Sequence, residues 1–351
     1  MHPKPEGGHS PFRITIEPSQ HQFDVEPGNT LLRAALDAGI NLPYGCRNGA
    51  CGACKGRIVC GQVDRGDYSE DALSAAEAAR GYALFCCARP LSDLTIACRE
   101  VSAIRDIPVK TLPSRVQKMA LLAPDVMLLQ LKLPASERLQ FLAGQYIDIL
   151  LRDGRRRSFS IANAPQDDDC LELHVRQVPG GHFTRHIFET MQERDILRID
   201  GPHGCFYLRE ESAKPIILLA GGTGFAPIKA LVEHAMHQNN PRPMALYWGV
   251  RDRGGLYLHA LAAAWAAEWA GFSYVPVLSE AQPADGWQGR SGWVHQAVID
   301  DFPDLSGHQV YACGAPAMIE AARHDFISRC GLKEEDFFAD AFTFAAESAN
   351  P

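Results

Sequence analysis

The sequence predicts a multidomain chain: a small α+β module, then an antiparallel β-barrel, then an α/β domain with a parallel sheet. Three observations carry this. At 351 residues the chain exceeds what one hydrophobic core normally serves. Seven of its 11 cysteines (Cys46, Cys51, Cys54, Cys60, Cys86, Cys87 and Cys98) fall in the first hundred residues, which marks off an N-terminal module. Near Lys214 the pattern changes from short strand-like segments joined by turns to a strand–helix–strand grammar, as a parallel sheet covered by helices requires.

The elements follow in order. FRITIEPSQHQFDV alternates apolar and polar residues about a Pro-Ser turn and predicts a hairpin ending near Val25. A helix comes next: Asn29 or Thr30 can cap it, Leu31, Leu32, Ala35 and Leu36 form its buried stripe, and Gly39 suits a left-handed C-terminus. A loop rich in Gly and Cys runs from Pro43 to Cys54, followed by strand-like KGRIVC and a last strand at Leu94 to Cys98. The first domain is thus expected over 11–103, with IRDIPVK, 104–110, as linker. VMLLQLKL, QYIDILL, RSFSIAN, CLELHVRQV and DILRID are short strands that predict a barrel over 109–209, interrupted by one helix from about His182 to Met191. The third domain is expected over 213–347, where PIILLA, MALYWGV, SYVPVLS and VYACGA alternate with helical segments. Its last helix has Pro316 in the first turn and Gly331 just past the end.

Composition narrows the function classes. Hydrophobic residues at 46% and charged residues at 22% suit a globular protein. No apolar run approaches the roughly 20 residues a membrane helix needs, and MHPKPEGGHSPF lacks a signal-peptide core, so a cytoplasmic location is expected. A formal charge of −8 argues against nucleic acid and suits docking to a basic partner protein. A monomer is the default expectation. Without signal peptide or short length, the cysteines point to metal ligation rather than disulfides.

Cys46-x4-Cys51-x2-Cys54, with Cys86 far downstream, has the plant-type spacing for a 2Fe-2S cluster. Gly45, Gly49 and Gly52 let the backbone wrap such a core and aim N–H groups at sulfur. A structural zinc site usually shows two close ligand pairs, and this loop has one. YGCRNGACGACKG and LFCCARPLSDLTI resemble the ferredoxin domains of bacterial oxygenase reductases, and the resemblance selects Cys86 over Cys87 as fourth ligand. It implies a β-grasp 2Fe-2S ferredoxin domain. Cys60, Cys87, Cys98, Cys170, Cys205 and Cys330 are expected to be small buried hydrophobes.

In RRRSFSIAN, alternation puts Arg157 and Phe159 on one strand face. The stretch Arg157, Ser158, Phe159 and Ser160 resembles the Arg-x-Tyr-Ser signature of the ferredoxin-NADP reductase superfamily. That resemblance assigns Arg157 to the FAD pyrophosphate, Phe159 to flavin packing and Ser160 to the flavin N5, with Phe in place of Tyr. FLAGQYIDI and GPHGCF resemble the neighbouring segments of the same superfamily. Gly180, Gly181 and Thr184 open a short helix whose N–H groups suit a phosphate. His174, His182 and His186 lack the partner cluster a metal would need.

LLAGGTGFAP runs from a buried strand through Gly221, Gly222, Thr223 and Gly224 into a helix beginning near Pro227, a turn suited to a dinucleotide pyrophosphate. It is not the GxGxxG fingerprint, so the rule for a ribose-binding acid does not transfer. Cys313 and Gly314 lie at another strand end, where such sheets bind ligands. The superfamily resemblance places Cys313 beside the nicotinamide. WGVRDRGGLYL resembles NADH-preferring members, and terminal FFADAFTF resembles the family's end, where an aromatic covers the flavin: Phe342, with Phe338 in reserve.

The matches run from about 12 to 345 and cover nearly the whole chain. They imply an electron-transfer reductase that oxidises NADH through FAD and a 2Fe-2S cluster. The implied electron acceptor is a separate protein, either an oxygenase component or a CDP-deoxysugar dehydratase, and the cysteine and flavin motifs look closest to the branch serving the dehydratase. A non-catalytic iron-sulfur carrier, its later domains without cofactors, is the alternative.

Overall fold

The computed structural model describes residues 10–98, 100–101, 107–283 and 286–342. The chain divides into two compact units, Met1–Asp106 and Ile107–Pro351. Part of the expected linker, residues 104–106, and the end of FFADAFTF, residues 343–344, lie outside the described residues.

The first unit holds β1 (Phe12–Glu17), β2 (Gln22–Val25), α1 (Leu31–Asp37), β3 (Lys55–Cys60), β4 (Val63–Asp64), α2 (Ala75–Ala79), β5 (Tyr82–Leu84), β6 (Arg89–Pro90) and β7 (Leu94–Ala97). Its main sheet runs β2-β1-β7-β3-β5, and only the β1–β7 pair is parallel. Alternation in β1 buries Ile14 and Ile16, and Leu31 of α1 and Ile96 of β7 are likewise without exposure. Thr30 caps α1 by accepting from the Arg33 N–H, and Gly39 follows at φ 74°, as expected. Cys60 departs from expectation. It ends β3 beyond a register shift beside Gly61, where no sheet face covers it, and it is exposed. Cys87, Cys98 and Cys170 are only half-buried, whereas Cys205 and Cys330 are buried.

In the second unit β8 (Lys110–Ala123), β9 (Val126–Lys132), β10 (Tyr146–Leu150), β11 (Arg156–Ser160), β12 (Leu171–Arg176), α3 (His182–Glu189) and β13 (Ile196–His203) form the barrel. Its antiparallel order is β11-β10-β13-β8-β9-β12, and an Ile161–Leu173 bridge joins the two edges. Ile147, Ile149, Leu129, Leu173 and Ile199 fill it, with Phe183 and Ile187 of α3 over one end.

The rest is β14 (Ile216–Gly221), α4 (Phe225–His237), β15 (Met244–Val250), α5 (His259–Glu268), β16 (Phe272–Leu278), β17 (Arg290–Ser291), α6 (Val294–Asp301), β18 (Gln309–Gly314), α7 (Pro316–Cys330) and β19 (Phe337–Ala341). All strands are parallel in the order β17-β16-β15-β14-β18-β19. The chain winds outward from β14 to β17 and then returns to β18 on the other side. The carboxyl ends of β14 and β18 therefore flank a topological switch point. The barrel and this sheet share a core: Ala143, Phe206 and Leu208 pack with Leu218, Ile228 and Leu231. Among the described residues no helix is long and apolar enough to cross a membrane.

Candidate functional site

The cysteine loop turns at Arg47, Gly49 and Gly52, whose φ angles are 59°, 79° and 73°. Close approach adds to the need for glycine at position 49, where a Cβ would lie 2.7 Å from the Cys87 Sγ and 3.0 Å from the Asp67 carbonyl. Thus folded, the loop aims backbone donors at sulfur: Ala50 N–H to Cys46 Sγ and Cys46 N–H to Cys51 Sγ, both 3.4 Å. The first free N–H groups of α1, on Leu31 and Leu32, donate to the Ala88 and Phe85 carbonyls at 2.9 and 2.8 Å. Helix start and cysteine pair are thereby locked together.

Cys46 and Cys51 share a hydrogen bond, as do Cys54 and Cys86, and the charge on Cys46 is felt at Cys86. The Cys51 thiol donates to Cys46 and, against burial, holds it down to about 6. That same bond and burial push Cys51 up, and Cys86 is pushed up by its bond to Cys54. Cys46 ionises readily while Cys51 and Cys86 resist, a donor set short of positive charge. Cys46, Cys51, Cys54 and Cys86 fit an iron-sulfur centre on those grounds. Cys87 Sγ lies 3.6 Å from Cys86 Sγ but packs against Gly49.

On β11, Arg157 and Phe159 share a face opposite Ile149 and Ile147, and both are half-buried. The Phe159 ring lies 6.0 Å from Phe183 of α3. Ser158 takes the other face, donating to Asp148 at 2.6 Å, so its hydroxyl is committed away from Arg157. Ser160 shares that second face and is 7% exposed. Gly180 takes φ 77° ahead of α3, while the Thr184 hydroxyl accepts from the Val178 N–H at 3.1 Å. Thr184 therefore shapes the loop, and the backbone N–H groups remain the phosphate-facing candidates. Asp148, Asp200 and His203 present ligand atoms within 4.8 Å of one another. Arg156 pairs with Asp200 at 2.8 Å and Asp148 at 3.4 Å, so a cation already occupies that charge.

At the switch point Gly221, Gly222, Thr223 and Gly224 meet Cys313 and Gly314. A Cβ on Gly224 would lie 2.1 Å from the Cys313 carbonyl oxygen, and one on Gly314, at φ 146°, would lie 2.9 Å from Gly221 Cα. Only glycine permits this backbone contact. Cys313 is fully buried, and burial pushes its thiol up, which suits packing rather than nucleophilic chemistry. The helix after the turn starts at Phe225, so Pro227 sits third, still within the first turn where its missing N–H costs nothing. Phe342 joins the crevice: its N–H donates to the Gly314 carbonyl at 2.8 Å and its ring is half-buried. Phe338 is stacked on Tyr311 at 4.8 Å. Arg251, after β15, is exposed and 3.9 Å from Glu280.

Arg176 of β12 was not among the sequence candidates. Its guanidinium lies 3.5 Å from where a Gly222 Cβ would be, and its Nε and Nη2 are buried without a hydrogen-bond partner. Its ion pair with Asp125 is long, 3.5 Å. Orphaned donors of this kind beside a helix N-terminus fit an anion such as a pyrophosphate. The available signal was a cation at a strand end just before Gly180 and Gly181.

The chain matches known proteins along most of its length. The family described as 2Fe-2S iron-sulfur cluster binding domain matches residues 14–91, the oxidoreductase FAD-binding domain 113–207 and the oxidoreductase NAD-binding domain 218–324. The chain is 42% identical over 331 residues to the CDP-6-deoxy-L-threo-D-glycero-4-hexulose-3-dehydrase reductase of Yersinia pestis, covering 94% of this chain and 98% of that protein. It is 38% identical over 332 residues to reductase component 2 of terephthalate 1,2-dioxygenase from Comamonas sp, covering 94% and 97%. The crystal structure of the Amycolatopsis cytochrome P450 reductase GcoB superposes with TM-score 0.75 at 37% identity, covering 95% of this chain and 99% of that one.

Proposed function

The chain belongs to the family of NAD-dependent iron-sulfur flavoprotein reductases, and on that premise we propose that its electron acceptor is a CDP-6-deoxyhexulose dehydratase. The observation that carries this choice is the 42% identity along 94% of the chain to the Yersinia pestis dehydrase reductase. In this reading the chain is a CDP-6-deoxy-3,4-glucoseen reductase in kind. The second reading, an oxygenase partner, rests on the 38% identity to the terephthalate dioxygenase reductase.

The chemistry supplied by the bound groups is hydride transfer from NADH to FAD, then single-electron release to the 2Fe-2S cluster. The residues bind and orient. In this reading Cys46, Cys51, Cys54 and Cys86 hold the cluster, while Arg157 pairs with the FAD pyrophosphate. Phe159 packs on the flavin, and Ser160 offers its hydroxyl to N5. The backbone around Gly221–Gly224 and Arg176 receives the NADH pyrophosphate. Cys313 and Gly314 shape the nicotinamide slot, and Phe342 excludes water from it.

Reconstitution tests the acceptor. The protein, NADH and a CDP-6-deoxyhexulose dehydratase should convert the sugar nucleotide at a rate that saturates with reductase. Turnover only with an oxygenase component, and none with the dehydratase, would exchange the two readings.

A further inference from the structure

We propose that Lys229 is a positioning residue that clamps the nucleotide-binding helix to the flavin-binding strand and so sets the distance across which hydride moves. The inference rests on the reading of residues 157–160 and 221–224 as flavin and nucleotide sites. Lys229 is the fifth residue of α4, in a run of buried side chains, and is itself 8% exposed. Its ammonium has three acceptors: the Ala162 carbonyl at 3.1 Å, Glu172 at 3.2 Å and Glu233 at 2.9 Å. An ammonium carries three protons, so this group is fully satisfied. Ala162 lies two residues beyond Ser160, and its N–H donates to the Glu172 carbonyl at 2.7 Å. The helix that starts at the glycine turn is therefore tied to the chain just beyond the flavin motif.

A second arm closes the circuit. Glu172 also bonds His174 Nε2 at 3.1 Å, and His174 Nδ1 lies 3.1 Å from the Tyr257 hydroxyl. Burial keeps His174 neutral by pushing it down, whereas Glu172, despite burial, is held down to about 2 by His174 and Lys229. The carboxylate accepts from Nε2–H, which leaves Nδ1 to accept from Tyr257. The Tyr257 ring meets Trp248 edge-on at 5.2 Å and Phe225 at 6.0 Å. Trp248 Nε1–H then donates to the Gly222 carbonyl at 2.9 Å. The polar contacts, joined to Trp248 through the Tyr257 ring, thus reach the Gly222 carbonyl in the glycine turn, while Lys229 holds the helix that follows it.

Such a clamp has a kinetic purpose. Hydride transfer needs reacting atoms within about 3–3.5 Å, and a misplacement of about 1 Å costs on the order of 100-fold. A network serving stability alone would leave the rate for bound NADH untouched.

The test compares the wild-type chain, loaded with cluster and FAD, with Lys229→Met and with Lys229→Met/Glu172→Gln, which removes both charges. Stopped-flow flavin reduction by NADH gives the hydride rate at saturation and the NADH dissociation constant. Amide hydrogen exchange across 221–225 and 160–163, without nicotinamide, gives the clamp directly. We expect the saturated rate to fall at least tenfold with little change in dissociation constant or FAD content, and exchange in both segments to accelerate. Unchanged rate with unchanged exchange overturns the clamp. Where either variant fails to fold, Tyr257→Phe, which keeps the ring and removes the hydroxyl, should shift rate and exchange the same way, and its failure to do so is equally decisive. A wild-type protein whose FAD is not reduced by NADH overturns the underlying site reading instead.

Discussion

Arg176 and Gly222 stand far apart in sequence yet meet at the crevice, the arginine with two buried nitrogens lacking hydrogen-bond partners. A buried donor left unpaired is costly, and a charged partner is worth about 1.5–3 kcal/mol. Arg176→Ala should therefore raise the KM for NADH about tenfold or more while FAD content holds, which steady-state kinetics with ferricyanide as acceptor will show. Equal KM values would remove Arg176 from the nucleotide site. At this scale the sequence was informative where chemistry is spelled by residue type and spacing, as in Cys46-x4-Cys51-x2-Cys54. At Arg176 it offered only a cation at a strand end, and at Lys229 nothing. Both are ordinary cations whose meaning comes from what another strand or helix brings beside them. Ser158 teaches the same lesson in reverse: membership of the flavin motif does not tell that its hydroxyl is taken by Asp148.

In the proposed reading nucleotide binding depends on the glycine turn between β14 and α4, which lies in backbone contact with the end of β18. Gly224→Ala puts a Cβ 2.1 Å from the Cys313 carbonyl oxygen, a contact that only separation of the two segments relieves. The expected outcome is a folded protein with intact flavin and cluster absorbance and a tenfold or greater loss in kcat/KM for NADH. A wild-type value would mean that the turn and β18 need not touch. Elements with strong local signals were legible, including the first hairpin, α1 with its Thr30 cap, and α7 between Pro316 and Gly331. β17 and β19 were not, since two residues in one and a short aromatic run in the other carry no periodicity. Their strand character comes from pairing with β16 and β18.

The second unit carries a half-buried carboxylate, Glu172, and a buried imidazole, His174, whose protonation opposes its folding. Glu172 is held down to about 2, below an ordinary value of about 4.3, and burial pushes His174 below its ordinary value of about 6.5. Both shifts are depressions, so their stabilising contribution is present above the ordinary values and lost as pH falls. The unit should weaken first as His174 is forced to charge below about pH 6.5, and further between about 4.5 and 2 as Glu172 protonates. Denaturant unfolding of the full chain from pH 7 to pH 3 measures this, and Glu172→Gln should flatten the lower part of the profile. A wild-type profile that rises toward acid would contradict the assignment.

At the scale of the whole molecule, the proposed route has electrons enter as hydride and leave one at a time through the cysteine loop. Anaerobic titration with NADH, followed by visible absorbance and by electron paramagnetic resonance, tests it most directly. Flavin absorbance should bleach and a reduced 2Fe-2S signal should grow in the same sample without any mediator. Flavin bleaching with the cluster left oxidised, or a cluster that only dithionite reduces, would contradict it.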